Sequence, residues 1–490
     1  MGQEILTDNQ KYFLQKAQEN FPKIYYKTIT LPEKTNLETG DSFVLDLGNH
    51  YVGKFSFKMD NVNIFIDAPT KLIVKFCEDM REVEDDFSNY KGRMSYTWLQ
   101  EEAVFIDYPK TVNMERRFSC RYIKITVEKT KYPIKLYDFT FTASTSANEE
   151  ILKPATTSTP ILQKIDSVAT NTLKECMQTF FEDGPKRDRR LWIGDLRLEA
   201  LTNYYTFNNL ELVKRCLYLF AAGKTNSLGF VPSYIYETPY FVSGIANIID
   251  YALLYVVTVC DYFNHTNDVE TINDLLTICK NQLDCFEKIL DNNLIVTKQE
   301  GWAFFIDWCP GLSGYIALQG VYLYTLEKFI KLLKSINDKD YKKYEELLAK
   351  VRQASKKLFN EEKGVFVGEI DGYQLSVHSQ VWMILGGVID GEKAQNLLIS
   401  ILKNKDAKQP FTPYMWHYVI EAMFKLELKE EATNVIKEFW GGMIERGADT
   451  FYEVYVPSDS KFSPYGDRMN NSLCHAWSCT PSYFIRKYNL

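Results

Sequence analysis

The hydrophobic period of the chain changes near residue 150, and no single architecture accommodates both patterns. Before that point apolar residues recur at every second position. Phe43, Leu45 and Leu47 do so, as do Phe55, Phe57 and Met59 between Lys54, Ser56 and Lys58. Leu72, Val74 and Phe76, then Ile123, Ile125 and Val127, then Tyr137, Phe139 and Phe141 repeat the pattern. Side chains two positions apart share one face of a strand, so each stretch predicts a strand with a buried face and a polar face. Polar turns separate them without helical pattern between, which predicts an antiparallel β-sandwich over residues 1–150 rather than a parallel sheet. The segment DNQKYFLQKAQENF near the N-terminus is read as a helix.

After residue 155 the period becomes 3.6. Tyr344, Leu347, Leu348, Val351 and Leu358 form one apolar stripe, and Leu326, Phe329, Ile330 and Leu333 form another. Residues 245–263, IANIIDYALLYVVTVCDYF, are apolar almost all round, the mark of a helix enclosed on every side. Amphipathic helices alternating with enclosed ones predict two concentric layers, an (α/α)6 toroid over residues 151–490; a solenoid is the weaker alternative because no repeat signature is present. KPATTSTP, residues 153–160, is the boundary between the halves. A chain of 490 residues accommodates about two to four domains.

Lys and Arg number 57 against 64 Asp and Glu, a net charge of −7, so a nucleic-acid partner is not expected. No apolar run reaches the ~20 residues that span a bilayer, and the start lacks the charged-then-apolar order of a signal peptide, so no membrane partner and a cytoplasmic location are expected. Ten cysteines without a C-x-x-C pair predict free, mostly buried thiols.

Three polar clusters could carry chemistry. In FFEDGPKRDRRLWIGDLRLEA, residues 180–200, Asp183, Asp188 and Asp195 alternate with Lys186, Arg187, Arg189, Arg190 and Trp192, in a loop that enters a helix near Asp195. The interspersed aspartates argue against a basic patch. A solvated, salt-bridged loop competes with a cleft in which neighbouring carboxylates shift one another's pKa. In GGMIERGADTFYEVYVPSD, residues 441–459, Glu453 stands between Tyr452 and Tyr455, where a surface carboxylate is the competing reading. In GWAFFIDWCP, residues 301–310, Trp302, Phe305 and Trp308 surround Asp307; aromatic faces beside a carboxylate suit a sugar ring, although plain core competes. Gly223-Lys224-Thr225 is no P-loop, because Tyr218 occupies the position of the earlier glycine. His417 and Glu421 share a helix face without a third ligand, so no metal and no cofactor are expected. Five histidines and no G-x-S-x-G elbow leave carboxylate chemistry.

These residues resemble the α-L-rhamnosidases of glycoside hydrolase family 78. The run D-G-P-K-R-D-R-R-L-W-I-G-D is similar to the family motif, placing Asp183, Pro185, Arg187, Trp192, Gly194 and Asp195 on matching positions and Asp188 where the family has its general-acid glutamate. DLGNHYVGKFSFKM, KLIVKFCEDM and RRFSCRYIKITV look like strands of the family's sandwich. GADTFYE is similar to the segment ending in the general base, here Glu453, and MNNSLCHAW to the stretch with a sugar-contacting histidine, here His475. The aspartate at the acid position departs from the family, as does the lack of a following C-terminal sandwich, so a minimal version of the architecture is expected. The resemblance implies an inverting hydrolase of terminal α-L-rhamnosyl residues, with two carboxyls about 6.5–9.5 Å apart. Asp183, Asp195, His475 and Asp307 would contact sugar hydroxyls and Trp192, Trp302 and Trp308 the apolar ring face, with Arg187 turned to Asp183 or a hydroxyl. A glycoside phosphorylase on the same toroid and a non-catalytic carbohydrate-binding relative are the alternatives. A carbohydrate is the expected partner, and a homo-oligomer is allowed.

Overall fold

The computed structural model describes residues 6–62, 68–157, 159–238, 240–244, 248–298 and 303–490. The alternating stretches form eight strands: β1 (Tyr25–Leu31), β2 (Lys34–Leu37), β3 (Ser42–Asn61), β4 (Thr70–Cys77), β5 (Glu101–Ile106), β6 (Lys110–Asn113), β7 (Phe118–Lys129) and β8 (Ile134–Thr145). They join in the order β1-β8-β3-β7-β4-β5, with β2 on β8 and β6 on β3, and every pairing is antiparallel. The hydrogen bonding makes one continuous sheet rather than two separate ones. The cause is β3, a strand of 20 residues. Its first part pairs with β7 up to Gly53, and from Gly53 to Asn61 it pairs with β8. A register shift between Asp46 and Tyr51 accompanies Gly48, whose φ of 79° favours glycine. Both parts face one core, in which Phe55 stacks on Phe139 at 6.1 Å and packs edge-on to Phe76 at 5.7 Å.

The predicted N-terminal helix is α1 (Asp8–Glu19), capped by Thr7 and Gln10 in a reciprocal capping box. It does not belong spatially to the sheet that follows it. Phe13 stacks on Tyr218 at 6.1 Å, and Arg215 donates to the Ala17 carbonyl at 2.7 Å, so this segment completes the helical core. Burial of its one apolar stripe decides the placement, since the polar outer rows of the sheet offer no counterpart.

After the short α2 (Met80–Glu84), the helical half comprises α3 (Pro160–Cys176), α4 (Ile193–Tyr205), α5 (Leu210–Ala222), α6 (Ile249–Thr266), α7 (Val269–Glu287), α8 (Tyr315–Ser335), α9 (Tyr341–Ser355), α10 (Val377–Leu385), α11 (Gly391–Lys403), α12 (Pro413–Lys425), α13 (Lys429–Glu445) and α14 (Pro481–Tyr488). Helices α4, α6 and α10 are buried almost throughout, as the all-apolar pattern requires, whereas α7, α9, α11 and α13 bury one stripe each. Contacts run from α4 to α6, α8, α10 and α12, and α14 packs against both α12 and α4. All ten cysteines are free and nine are buried. Among the described residues no helix is long and apolar enough to cross a membrane.

Helices α8 and α10 meet at Gly320, where an added Cβ would stand 2.5 Å from the backbone carbon of Trp382. Backbone cannot yield as a flexible side chain can, so Gly320→Ala is expected to lower stability by about 1–3 kcal/mol. A fall in the urea midpoint with an unchanged slope checks this, and an unchanged midpoint refutes it.

Candidate active site

The acidic loop before α4 closes on itself. The Asp183 amide donates to the Arg190 carbonyl, and the Arg190 amide returns a bond to Asp183 Oδ1, both at 3.0 Å. Inside this closure Asp188 and Arg189 take φ of 65° and 52°, left-handed conformations that cost a non-glycine residue about 1–2 kcal/mol each. Arg189 offsets that cost by donating to the carbonyls of Pro185 at 2.8 Å and Arg117 at 2.7 Å. Asp195 occupies the first turn of α4, and Trp192 stands just before it.

The segment bearing Glu453 is held by a C-terminal strap, residues 465–476. The Glu453 amide donates to the Ser472 carbonyl at 3.0 Å, and Trp477 Nε1 donates to the Glu453 carbonyl at 2.9 Å. The His475 amide reaches the Phe451 carbonyl at 2.9 Å, and the Ala476 amide reaches the Asp183 carbonyl at 2.8 Å. Loops far apart in sequence are thus hydrogen-bonded into one wall.

Together they line a cleft of about 130 Å³. Asp183, Arg187, Asp188, Trp192, Asp195, Trp308, Glu453 and His475 line it, joined by Ile248, Tyr251, Phe305, Tyr465 and Trp477. Trp302 lies outside the described residues. Asp307 does not line the cleft, contrary to the expectation of a sugar contact. Both its oxygens are occupied: Oδ1 by the Trp308 and Thr412 amides and the Thr412 hydroxyl, Oδ2 by His378 at 2.8 Å and the Phe411 amide at 2.7 Å. A carboxylate buried with so many donors fixes the chain at the start of α12 and has no capacity left for a ligand.

Arg187 is not turned to Asp183, the first of the two contacts expected of it: Nη2 bonds Glu453 Oε2, Nη1 lies 3.3 Å from Asp188 Oδ2, and Nε donates to the Asn470 carbonyl at 3.1 Å. Tyr465 completes the arrangement, its hydroxyl bonded to Glu453 Oε1 and its ring 4.3 Å from the guanidinium.

Burial pushes the Glu453 carboxyl up, but Arg187, His475 and the Tyr465 hydroxyl outweigh it and hold the group below the usual glutamate range. Two aspartates of the same cleft behave differently. Asp183 is raised well above the ordinary aspartate range by burial and then by Asp188 and Asp195; Asp195 is raised by burial, Glu453 and Asp188. Burial lowers His475 to about 4, so its ring is neutral at neutral pH. Its Nδ1 and Asp195 Oδ1 lie 3.4 Å apart, both buried and neither hydrogen-bonded within the described residues. Polar atoms left so beside a cleft are available to ligand hydroxyls. Aromatic rings form the remaining wall: Phe305 stacks on Trp477 at 5.6 Å and packs edge-on to Trp308 at 5.1 Å. Among the described residues no three His, Cys, Asp or Glu side chains are grouped as a metal would need.

Phe305 lines the cleft with Trp308 of the same segment, and Tyr251, Tyr465 and Trp477 join them without having been expected. Trp477 ends the stretch that carries His475, whereas nothing local distinguishes Tyr465 from 31 other tyrosines in a total of 32.

An antiparallel sheet half ahead of a closed circuit of helices, with opposed carboxylates and aromatic walls around a sugar-sized cleft, defines a carbohydrate-cleaving enzyme. The family model for the glycosyl hydrolase family 78 α-rhamnosidase N-terminal domain matches residues 4–144, and that for the bacterial α-L-rhamnosidase 6 hairpin glycosidase domain matches residues 154–488. The chain belongs to glycoside hydrolase family 78 and is a glycoside hydrolase. Among solved structures, a rhamnosidase from Klebsiella oxytoca with rhamnose bound is 35% identical with a TM-score of 0.93, over 98% of this chain and 99% of that chain. A family 78 rhamnosidase of Bacillus sp. GL1 shares the fold at 22% identity and TM-score 0.78, over 92% of this chain and 47% of that one. An α-L-rhamnosidase from Dictyoglumus thermophilum does so at 18% identity and TM-score 0.72, over 95% and 51%. No curated protein matches the sequence.

The depressed Glu453 carboxyl contributes stability above the unfolded glutamate value of about 4.3, and that contribution is lost as pH falls through the folded value. Carbon-13 NMR titration of Glu453 is expected to show a midpoint that rises in Tyr465→Phe and rises further in Arg187→Met. A midpoint insensitive to both substitutions contradicts the electrostatic account.

Proposed function

We propose that the protein is an inverting α-L-rhamnosidase in which Asp188 is the general acid and Glu453 the general base. The observation that carries the reading is the pairing of opposite protonation tendencies across one cleft. Glu453, kept anionic by Arg187 and Tyr465, suits removal of a proton from attacking water. Asp183 and Asp195 are raised by burial and by neighbouring carboxylates, so a proton is held beside Asp188. Asp188 delivers it to the departing oxygen, because its side chain is 17% exposed against 3% for that of Asp195, and Asp183 is buried. One guanidinium spans Asp188 and Glu453, which supports their working on a single sugar.

Asp183, Asp195 and His475 would take the ring hydroxyls, and Trp192, Trp308 and Trp477 the apolar edge with its methyl group. The rhamnose held by the Klebsiella relative, whose whole length this chain matches, supports L-rhamnose as the glycone.

Asp188→Asn and Glu453→Gln are each expected to lower kcat on an aryl α-L-rhamnoside by about 100-fold or more; the urea midpoint stays near the parent value in Asp188→Asn and falls in Glu453→Gln, which leaves the buried Arg187 without its partner. NMR is expected to show β-L-rhamnose released first, without need for inorganic phosphate. A retained anomer excludes single displacement, and full activity in both variants removes them as acid and base.

A further inference from the structure

A second set of charges is buried where the sheet meets the helical half. Glu78, just after β4, and Glu82, in α2, face Lys186, the residue before Arg187. Lys186 Nζ bonds Glu82 Oε1, lies 3.7 Å from Glu78 Oε2, and donates to the carbonyls of Met469 at 3.2 Å and Asn471 at 3.1 Å. Glu78 Oε2 accepts the Leu473 amide at 2.6 Å, and its Oε1 accepts the Ser119 hydroxyl at 2.9 Å. Lys186, Glu78 and Glu82 are each 3% exposed or less. Withdrawing such ions from water costs several kcal/mol apiece unless each finds its partner; Glu78 also has His50 of β3 3.5 Å from its Oε1, whereas Glu82 and Lys186 are paired across the boundary between the halves.

The carbonyls that accept the Lys186 bonds lie on the strap that also ties Arg187 and, at Ser472, Glu453. Lys186 adjoins Arg187, and the carbonyls it ties flank Asn470, whose carbonyl receives Arg187 Nε. The sheet half grips the same strap elsewhere: the Arg93 amide donates to the Tyr465 carbonyl at 2.9 Å, and Asn470 Nδ2 donates to the Tyr90 hydroxyl at 2.9 Å.

We propose that Lys186, Glu78 and Glu82 are positioning residues through which the sheet half holds Arg187 and Tyr465 against Glu453. This rests on the reading of Glu453 as the base. The sheet is thereby a working part of hydrolysis and not an accessory module. A purely structural clamp would alter stability alone; a positioning clamp also alters the electrostatics of Glu453.

Lys186→Met strands two buried carboxylates and risks misfolding, so Glu82→Gln, which keeps shape and removes charge, carries the test in the full chain beside Lys186→Arg. Hydrogen exchange without substrate is expected to show faster exchange across residues 465–476 in Glu82→Gln, with α8 protected as in the parent. On an aryl α-L-rhamnoside, kcat is expected to fall about 10- to 100-fold with KM little changed, and the acid limb of the pH profile to move upward. Lys186→Arg is expected to keep the acid limb of the parent. Parent-like exchange in the strap with a parent-like acid limb overturns the proposal, as does a loss of protection spread equally over α8. If Glu453→Gln proves fully active, the base assignment fails, while exchange in the strap still decides whether the clamp holds it.

Discussion

Arg187 contacts two carboxylates at once, and the cleft is arranged around that contact. Its Nη2 bonds Glu453, its Nη1 faces Asp188 at 3.3 Å, and Nε is tied to the Asn470 carbonyl. The residues of the Arg187–Glu453 pair are 266 positions apart and each is 2% exposed. Breaking such a pair from one side leaves an uncompensated buried charge, typically at a cost of about 3–5 kcal/mol. Neither loop can therefore shift without the other.

The electrostatics of the walls follow from what each carboxyl meets. Glu453 meets a cation and a hydroxyl donor, which outweigh burial. Asp183 and Asp195 meet other carboxyls in a buried place, which adds to burial. Groups of one chemical type are thus driven in opposite directions around one cleft, and the proposed acid and base roles rest on that difference. The left-handed backbone at Asp188 and Arg189 is the local cost of aiming that side chain at the cleft, and the Arg189 bonds to Pro185 and Arg117 offset it.

Stability and site geometry are coupled through the same contacts. Lys186, Glu78 and Glu82 neutralise one another only where the sheet and the helices meet, and the strap they grip also carries Tyr465. A cleft built wholly from loops would be soft. Here the loops lie between a sheet edge and the ends of buried helices, which supplies the rigidity that opposed acid and base groups require.

Local pattern determined much of the molecule. Period-two stretches around Phe55, Val74, Ile125 and Phe139 are strands, and the apolar run ending at Phe263 is an enclosed helix. Clustering of polar residues singled out Asp183, Asp188, Asp195 and Glu453, and the family resemblance added His475; all five line one cleft. These features are readable because strand faces, turns and helix entries are set by neighbours a few residues away. Tertiary structure alone decided that α1 docks on α5, that β3 serves both parts of the sheet, that Asp307 braces α12, and that Arg187 turns to Glu453 beneath Tyr465. Each of those outcomes depends on which buried donor, acceptor or apolar face a side chain meets after closure of a loop of tens to hundreds of residues. Sequence period carries no information about that meeting.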